Sequence, residues 1–433
     1  MLFPAGGLRR SIPLDRQAAR VRILPIQGGT PLRSRAAEDC ATCNVMLLTG
    51  QFGQRTGSIS TCPTTMASHT RRSFIQVTGA LAGGIGLGLS RGLGAVEARD
   101  AQRRAEEADA MIARMVRDRG LASAAFLMRQ GSFEFARGYG AAKVDTPFLI
   151  ASPTKPMTVS AVMWLQERRQ IDLSDPVVKF LPQFTCEGRG EVTVRHLLTH
   201  TSGLPDMLPE NVELRRRHAP LSEFVDRTCR TKLLFRAGEK VGYQSMGILL
   251  AAAIVEKVTG QGMPAFLASN IFAPLRMERT SLGLGGRKIA DTAACEIAPA
   301  DRSDWDWNSS YWRNLGAPWG GAHSTVHDLA AFAEAFVKPG DTPWRQATRR
   351  AMRDVQTGTM RPSYGYGWVR EPGAFGKTCS AATFGHFGST GTVAWHDPEA
   401  GVTCVLLTSR PAAESRAQLL VPVSEIVGRS ARA

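Results

Sequence analysis

The stretch Phe148-Leu149-Ile150-Ala151-Ser152-Pro153-Thr154-Lys155 decides how this chain is read. Four apolar residues lead into a serine, and a lysine follows three places later. If a helix starts at Ser152, Pro153 takes the first helical position, where a missing N–H costs nothing. Ser152 and Lys155 then share one face of the first turn. The following stretch, Val159 to Leu165, is apolar nearly all round, as a buried central helix requires. A buried lysine loses its charge readily, because desolvation disfavours the ammonium. Its free amine can take the serine proton and make an alkoxide nucleophile. The pattern is short, and by itself a capping serine beside a surface lysine satisfies it equally well.

The 433 residues are 43% hydrophobic and 21% charged, with 8 Trp and 18 Phe. That balance supports a sizeable core and excludes a mostly disordered or fibrous chain. No apolar run approaches the ~20 residues that span a bilayer, so stable membrane insertion is not expected. The formal charge of +15 is uneven: residues 1–98 carry 11 Arg, no Lys and 4 acids, or +7, leaving +8 for the rest. No Lys/Arg run is interleaved with aromatics, which argues against nucleic acid as a partner. Eight cysteines are scattered without metal-site spacing, and the five beyond residue 98 are odd in number, so a disulfide framework is not indicated. Cys40 and Cys43 form a lone C-x-x-C without a second pair.

Residues 70–98 carry an arginine pair (Arg71-Arg72), a glycine-rich apolar stretch from Val77 to Leu89, and a small-residue end at Val96-Glu97-Ala98. A basic region, a short apolar region and a small residue at the cleavage point are the parts of an export signal, and the paired arginines make it twin-arginine-like. The expected organisation is 1–65 as a disordered extension or a start-site over-read ahead of Met66, 66–98 as the signal, and 99–433 as one catalytic domain. The location expected is therefore periplasmic or secreted. Gly88-Leu89-Ser90-Arg91-Gly92 matches the nucleophile elbow G-x-S-x-G. That motif needs a strand before it and a helix after it, and its place in the signal argues against it.

In the body, Ala125–Met128 and Phe133–Ala136 flank a glycine-containing turn and predict a hairpin. Helical patterns dominate 153–275. Strand patterns return at Val393–Trp395 and Val402–Leu407, and 412–430 is again helical. The fold class expected is α/β of the α+β type: an antiparallel sheet closed by both chain termini, flanked by helices, beside an all-helical region.

Further motifs follow in order: Val192-Thr193-Val194-Arg195-His196-Leu197-Leu198-Thr199-His200-Thr201-Ser202-Gly203-Leu204-Pro205, Gly238–Ser245, Gly320–Thr325 before Asp328-Leu329-Ala330, Tyr364–Trp368, and Gly385–Thr392. Together with the Ser152 segment they resemble the serine β-lactamase and penicillin-binding superfamily, nearest its class C β-lactamase and esterase branch, over about 105–430. The resemblance implies Ser152 as acyl nucleophile, Lys155 as its base and Tyr243 as a proton shuttle. It implies Ser245, His386, Gly388 and Ser389 on the substrate and oxyanion side, with the backbone N–H groups of Ser152 and Ser389 as oxyanion donors. No metal or cofactor is implied. His196 and His200, four apart, would suggest zinc only if a Glu followed the first His, and Leu197 does.

Two departures stand out. Ser245 occupies the place where the family usually has Asn, and Ser offers one short hydroxyl where Asn offers two donors and an acceptor. His386 stands where the third motif often begins with Lys, and a His is largely neutral near pH 7. Both changes point away from penicillins and D-Ala termini, towards less charged esters or amides. Lys377-Thr378-Cys379 is a weaker match to the third motif. Trp305, Trp307, Tyr311, Trp312 and Trp319 either wall an acyl pocket or belong to the core. Ester hydrolysis by an exported enzyme is the first expectation. β-lactam or D-amino-acid peptide hydrolysis is the second, and a catalytically silent binder of cell-wall peptides the third.

Overall fold

The apolar runs pair as antiparallel strands in a computed structural model that describes residues 82–185 and 188–429, with backbone only for 82–95. These residues all fall in the unit Gln76–Ala433. The 1–65 extension, the Arg71-Arg72 pair, the first three cysteines and Cys186 lie outside the described residues.

The predicted hairpin forms β1 (Ser123–Gln130) and β2 (Phe133–Gly140), with Gln130 opposite Phe133 and a turn at Gly131-Ser132. Gly131 takes φ +55, which a residue without Cβ adopts without strain. Near the C-terminus lie β6 (Phe384–Gly388), β7 (Thr392–Asp397) and β8 (Val402–Thr408). The sheet runs β2-β1-β8-β7-β6, so strands from the two ends of the body meet at the β1–β8 pair and β6 is an edge. A small sheet of β3 (Phe148–Leu149), β4 (Ser281–Leu282) and β5 (Ala322–Ser324) has the order β3-β5-β4.

Among the described residues the helices are α1 (Ala82–Arg119), α2 (Thr154–Glu167), α3 (Val194–Leu198), α4 (Asn211–Arg216), α5 (Leu221–Arg230), α6 (Ser245–Thr259), α7 (Met263–Leu267), α8 (Ser310–Leu315), α9 (Val326–Glu334), α10 (Gln346–Arg353), α11 (Ala412–Ser415) and α12 (Val421–Gly428). Both faces of the main sheet are covered, which is why its central strands read as unbroken apolar runs. Ala124, Phe126 and Met128 join Cys404 and Leu406 against Ala105 and Ile112 of α1 and Val423 of α12. Ala125 and Leu127 join Val405 and Leu407 in the other cluster, with α2, α6 and α9. Alternation along each strand sends successive side chains to opposite faces, and each fully buried Leu, Val or Phe contributes about 1.5–3 kcal/mol.

Two expectations need adjusting, and the exclusion of the nucleophile elbow stands. Helix α2 begins at Thr154, not Ser152, and Pro153 is its N-cap. The N–H groups of Thr154 and Lys155 donate to the carbonyls of Ala151 and Ser152 at 2.9 and 2.8 Å, so a tight turn replaces the first helical turn. His196 and His200 do not share a helix face, because α3 ends at Leu198 and His200 has φ +60. Gly88–Gly92 lies inside α1 and is therefore not the sharp turn that a nucleophile elbow requires.

Candidate active site

Ser152 is presented by a strained and clamped turn. Ala151 holds φ +53, a left-handed conformation uncommon for a residue with a Cβ. Three threonine hydroxyls hold the backbone in place. Thr390, Thr392 and Thr154 donate to the carbonyls of Leu149, Ile150 and Ala151 at 2.6, 2.7 and 2.7 Å. The Ile150 N–H donates to the Ala322 carbonyl at 3.0 Å and extends the β3–β5 ladder to the edge of the site. Gly388 closes the other side. A Cβ there would overlap the Ile150 carbonyl oxygen and the Thr392 hydroxyl, so only glycine lets β6 approach this closely.

The Lys155 ammonium donates to Ser152 Oγ at 3.1 Å and to the Trp319 carbonyl at 2.9 Å, and the Tyr243 hydroxyl donates to Ser152 Oγ at 2.9 Å. Lys155 Nζ also lies 4.7 Å from the Tyr243 ring centre. Lys155 is 1% exposed. Burial lowers its pKa to about 7, while the Asp206 carboxylate pulls the other way. Burial pushes the Tyr243 phenol well above its ordinary value, so Tyr243 remains a donor at neutral pH.

Two imidazoles flank Tyr243. The His200 ring centre is 4.9 Å from that of Tyr243, and the His386 centre 6.1 Å. Burial, with Lys155 nearby, lowers the His386 pKa to about 3 and holds His200 well below its usual range. Both rings are therefore neutral at pH 7. His200 Nδ1 accepts the Gln244 N–H at 3.3 Å, and Gln244 in turn donates to the carbonyl of His196 at 3.1 Å. Thus the long motif at 192–205 holds the Tyr243 segment, while His196 Nδ1 accepts the Thr193 N–H at the start of α3.

Ser152, Lys155, Tyr243, Ser245 and Ser389 line one cavity of about 330 Å³. His386 and Gly388 do not; His386 is 4% exposed and makes its Nδ1 contact with the Phe387 carbonyl at 2.7 Å. Lys377-Thr378-Cys379 is elsewhere, its Thr378 hydroxyl donating to the Glu425 carbonyl at 2.8 Å.

The sequence reading missed four residues that line this cavity, Asp206, Met207, Asn211 and Arg215. Asp206 accepts from the Ser245 hydroxyl at 2.6 Å and from the Ser245 N–H at 3.0 Å. It directly follows the Leu204-Pro205 end of the long motif, the one signal that could have drawn attention to it. The aromatic group divides: Trp307, Trp312 and Trp319 line the cavity, Trp305 lines a neighbouring one, and Tyr311 stacks on His218 at 4.6 Å elsewhere.

A serine held between a buried lysine and a tyrosine narrows the chemistry to acyl transfer, and the sequence model of the Beta-lactamase family matches residues 108–423. The chain belongs to the Beta-lactamase family. It is 29% identical to Esterase EstB of Burkholderia gladioli over 359 residues, 72% of this chain and 91% of that protein. Among solved structures, EstCE1, a hydrolase with promiscuous acyltransferase activity, superposes with a TM-score of 0.64 at 18% identity, over 77% of this chain and all of that one. The D-amino acid amidase of Ochrobactrum anthropi SV3 gives 0.60 at 22% identity, over 76% and 98%. These structures share the fold of β-lactamases and transpeptidases, mixed helices around an antiparallel sheet. The protein is a serine hydrolase of the Beta-lactamase family.

Proposed function

We propose that this Beta-lactamase family member is an exported esterase that works through an acyl-enzyme on Ser152. The observation that carries the reading is the contact of one serine oxygen with both Lys155 Nζ and the Tyr243 hydroxyl, inside a cavity. In the neutral form, the Lys155 amine takes the Ser152 proton as Oγ bonds to the ester carbonyl carbon. The tetrahedral oxyanion is held by the N–H groups of Ser152 and Ser389, and each such donor is worth roughly 3–4 kcal/mol. The intermediate collapses, the C–O bond to the alcohol breaks, and the departing alkoxide takes a proton from Tyr243, which is restored from the Lys155 ammonium. Water then adds to the acyl carbon, losing its proton along the same path. Release of the acid restores Ser152.

Esters are preferred over amides because the grip on a substrate amide is weakened. At the position where an Asn would grip a substrate amide, the Ser245 hydroxyl is engaged with Asp206. The similarity to Esterase EstB across most of that protein's length supports the same choice. Export rests on the order of the arginine pair, the apolar stretch and the small residues up to Ala98. Residues 96–99 are exposed and the packed face of α1 starts at Ala101, so cleavage after Ala98 spares the core.

The test is mass detection of the acylated peptide during turnover of a 4-nitrophenyl ester. A covalent adduct on the peptide containing Ser152, with a burst of nitrophenol, is expected. An adduct elsewhere, or turnover intact in Ser152→Ala, overturns the assignment. A secreted form beginning after Ala98 is expected from a twin-arginine-competent host, and retention of residues 66–98 refutes export.

A further inference from the structure

Arg215 is the charged residue on the cavity wall for which the mechanism above has no use. It belongs to a run of three arginines at the end of α4, and its neighbours behave as surface residues: Arg216 is exposed and Arg217 pairs with Glu223. Arg215 instead lies on Trp312, its guanidinium carbon 3.6 Å from the ring centre. Trp312 meets Trp319 edge-on at 6.3 Å, and the Trp319 carbonyl takes the Lys155 hydrogen bond. A short chain of contacts therefore joins Arg215 to the catalytic lysine.

Among the described residues, the Arg215 side chain has neither an ion-pair nor a hydrogen-bond partner, and its Nε is buried without one. This is not how the protein treats its most buried arginines. Arg104 is held by Asp100 at 2.9 Å, together with Gln130 and the Val427 carbonyl. Arg313 donates to the carbonyls of Trp307 and Ala293 and to Asn308, each at 2.9 Å. Burial lowers the Arg215 pKa to about 10, which still leaves it charged at neutral pH. Of the carboxylates on the two cavities that Arg215 lines, Asp206 is engaged with Ser245, Glu296 with Arg410 at 2.8 Å, and Asp306 with the N–H groups of Ser303 and Asn308 at 2.9 and 2.7 Å, while Asp301 and Glu414 line the larger cavity without pairing with Arg215. Arg215 and Trp307 also line the adjoining cavity of about 630 Å³, so the guanidinium stands where two spaces meet.

A planar fork of donors fixed on an aromatic face matches a carboxylate. We propose that Arg215 receives a carboxylate of the substrate, and that the enzyme acts on esters carrying a free acid group. This rests on the esterase reading and narrows its substrate class. It also relocates the cationic anchor that His386 does not provide: the charge lies on the tryptophan wall, away from the edge strand.

The experiment measures binding to Ser152→Ala protein, so that it does not depend on turnover. The probes are the monomethyl esters of succinate, glutarate and adipate, each against its dimethyl ester. At least one monomethyl acid is expected to bind tenfold or more tightly than its diester, and Arg215→Met, whose thioether still covers Trp312, is expected to remove that difference. Arg215→Gln, which keeps a hydrogen-bonding head without charge, is expected to remove it as well and serves if the Met variant fails to fold. Equal binding of acids and diesters, or a preference that survives the loss of the guanidinium, overturns the proposal. An intact, Arg215-dependent preference in a wild-type enzyme that cleaves none of these esters leaves the anchor standing and refutes the esterase reading instead.

Discussion

The two walls of the cavity are built on opposite principles. On the catalytic wall each reactive group has a neighbour: Ser152 touches Lys155 and Tyr243, Ser245 touches Asp206, and the carbonyls of Leu149, Ile150 and Ala151 each receive a threonine hydroxyl. On the tryptophan wall Arg215 has an aromatic face beneath it and, among the described residues, no counter-ion. The first wall is pre-organised for one reaction, whichever substrate arrives. The second is completed only by what binds. The contrast separates the groups that set the rate from the group that selects the substrate, and it can be broken from either side.

The largest effect is expected from the catalytic pair. Ser152→Ala and Lys155→Ala should each lower kcat by ~10³-fold or more, and the double variant should be hardly worse, because nucleophile and base act as a unit. Steady-state turnover of an activated ester measures this. Additive losses in the double variant would show two independent contributors and break the picture of one wired wall.

Gly388→Ala comes next. The new methyl group would overlap the Ile150 carbonyl and the Thr392 hydroxyl and come within 3.1 Å of the Pro153 ring. Edge strand β6 has to retreat from the Ser152 turn. A misplacement of about 1 Å at a reacting group costs on the order of 10²-fold, so kcat should fall by about that much. An unchanged kcat would show that Ser389 and its strand do not set the oxyanion geometry.

A smaller, graded effect follows from pH. Lys155 must be neutral to accept the serine proton, and its pKa is about 7. Below pH 7 the neutral fraction falls about tenfold per unit, so kcat/KM should rise with unit slope up to about pH 7 and then level off. The phenol of Tyr243 is held above its ordinary value, so it imposes no descending limb near neutrality. The stability consequence has its own sign. A lysine depressed in the folded state binds fewer protons there than when unfolded, so this group makes stability rise with pH between about 7 and the ordinary 10.5. A pH–rate profile flat from 5 to 8 would remove Lys155 from the role of base.

How much of this was legible in the sequence follows the same division. The strands were, because a sheet buried on both faces writes itself as unbroken apolar runs such as Val402–Leu407. The catalytic wall was largely legible, because Ser152, Lys155, Tyr243 and Ser389 fall in motifs whose order is specific. The helix start was misplaced by two residues, since the left-handed Ala151 and its threonine clamp are properties of three distant segments meeting. His386 gave no sign that it would be buried beside Tyr243 instead of lining the cavity. Arg215 was hidden in plain composition. A run of three arginines reads as a solvated helix face, and only the fold shows that one of them turns onto Trp312.

The smallest effect concerns the clamp itself. Thr392→Val keeps the shape of the side chain and removes the hydroxyl that donates to the Ile150 carbonyl. A buried acceptor deprived of its donor costs about 1–3 kcal/mol, so thermal or denaturant unfolding should register a loss of that order. The rate should respond much less, a few-fold at most. Thr390 and Thr154 still hold the carbonyls on either side, and Gly388 still lets β6 pack against the turn. A fall of 10²-fold in kcat from this one hydroxyl would mean that the three contacts are not redundant, and that the strained turn at Ala151 depends on every one of them.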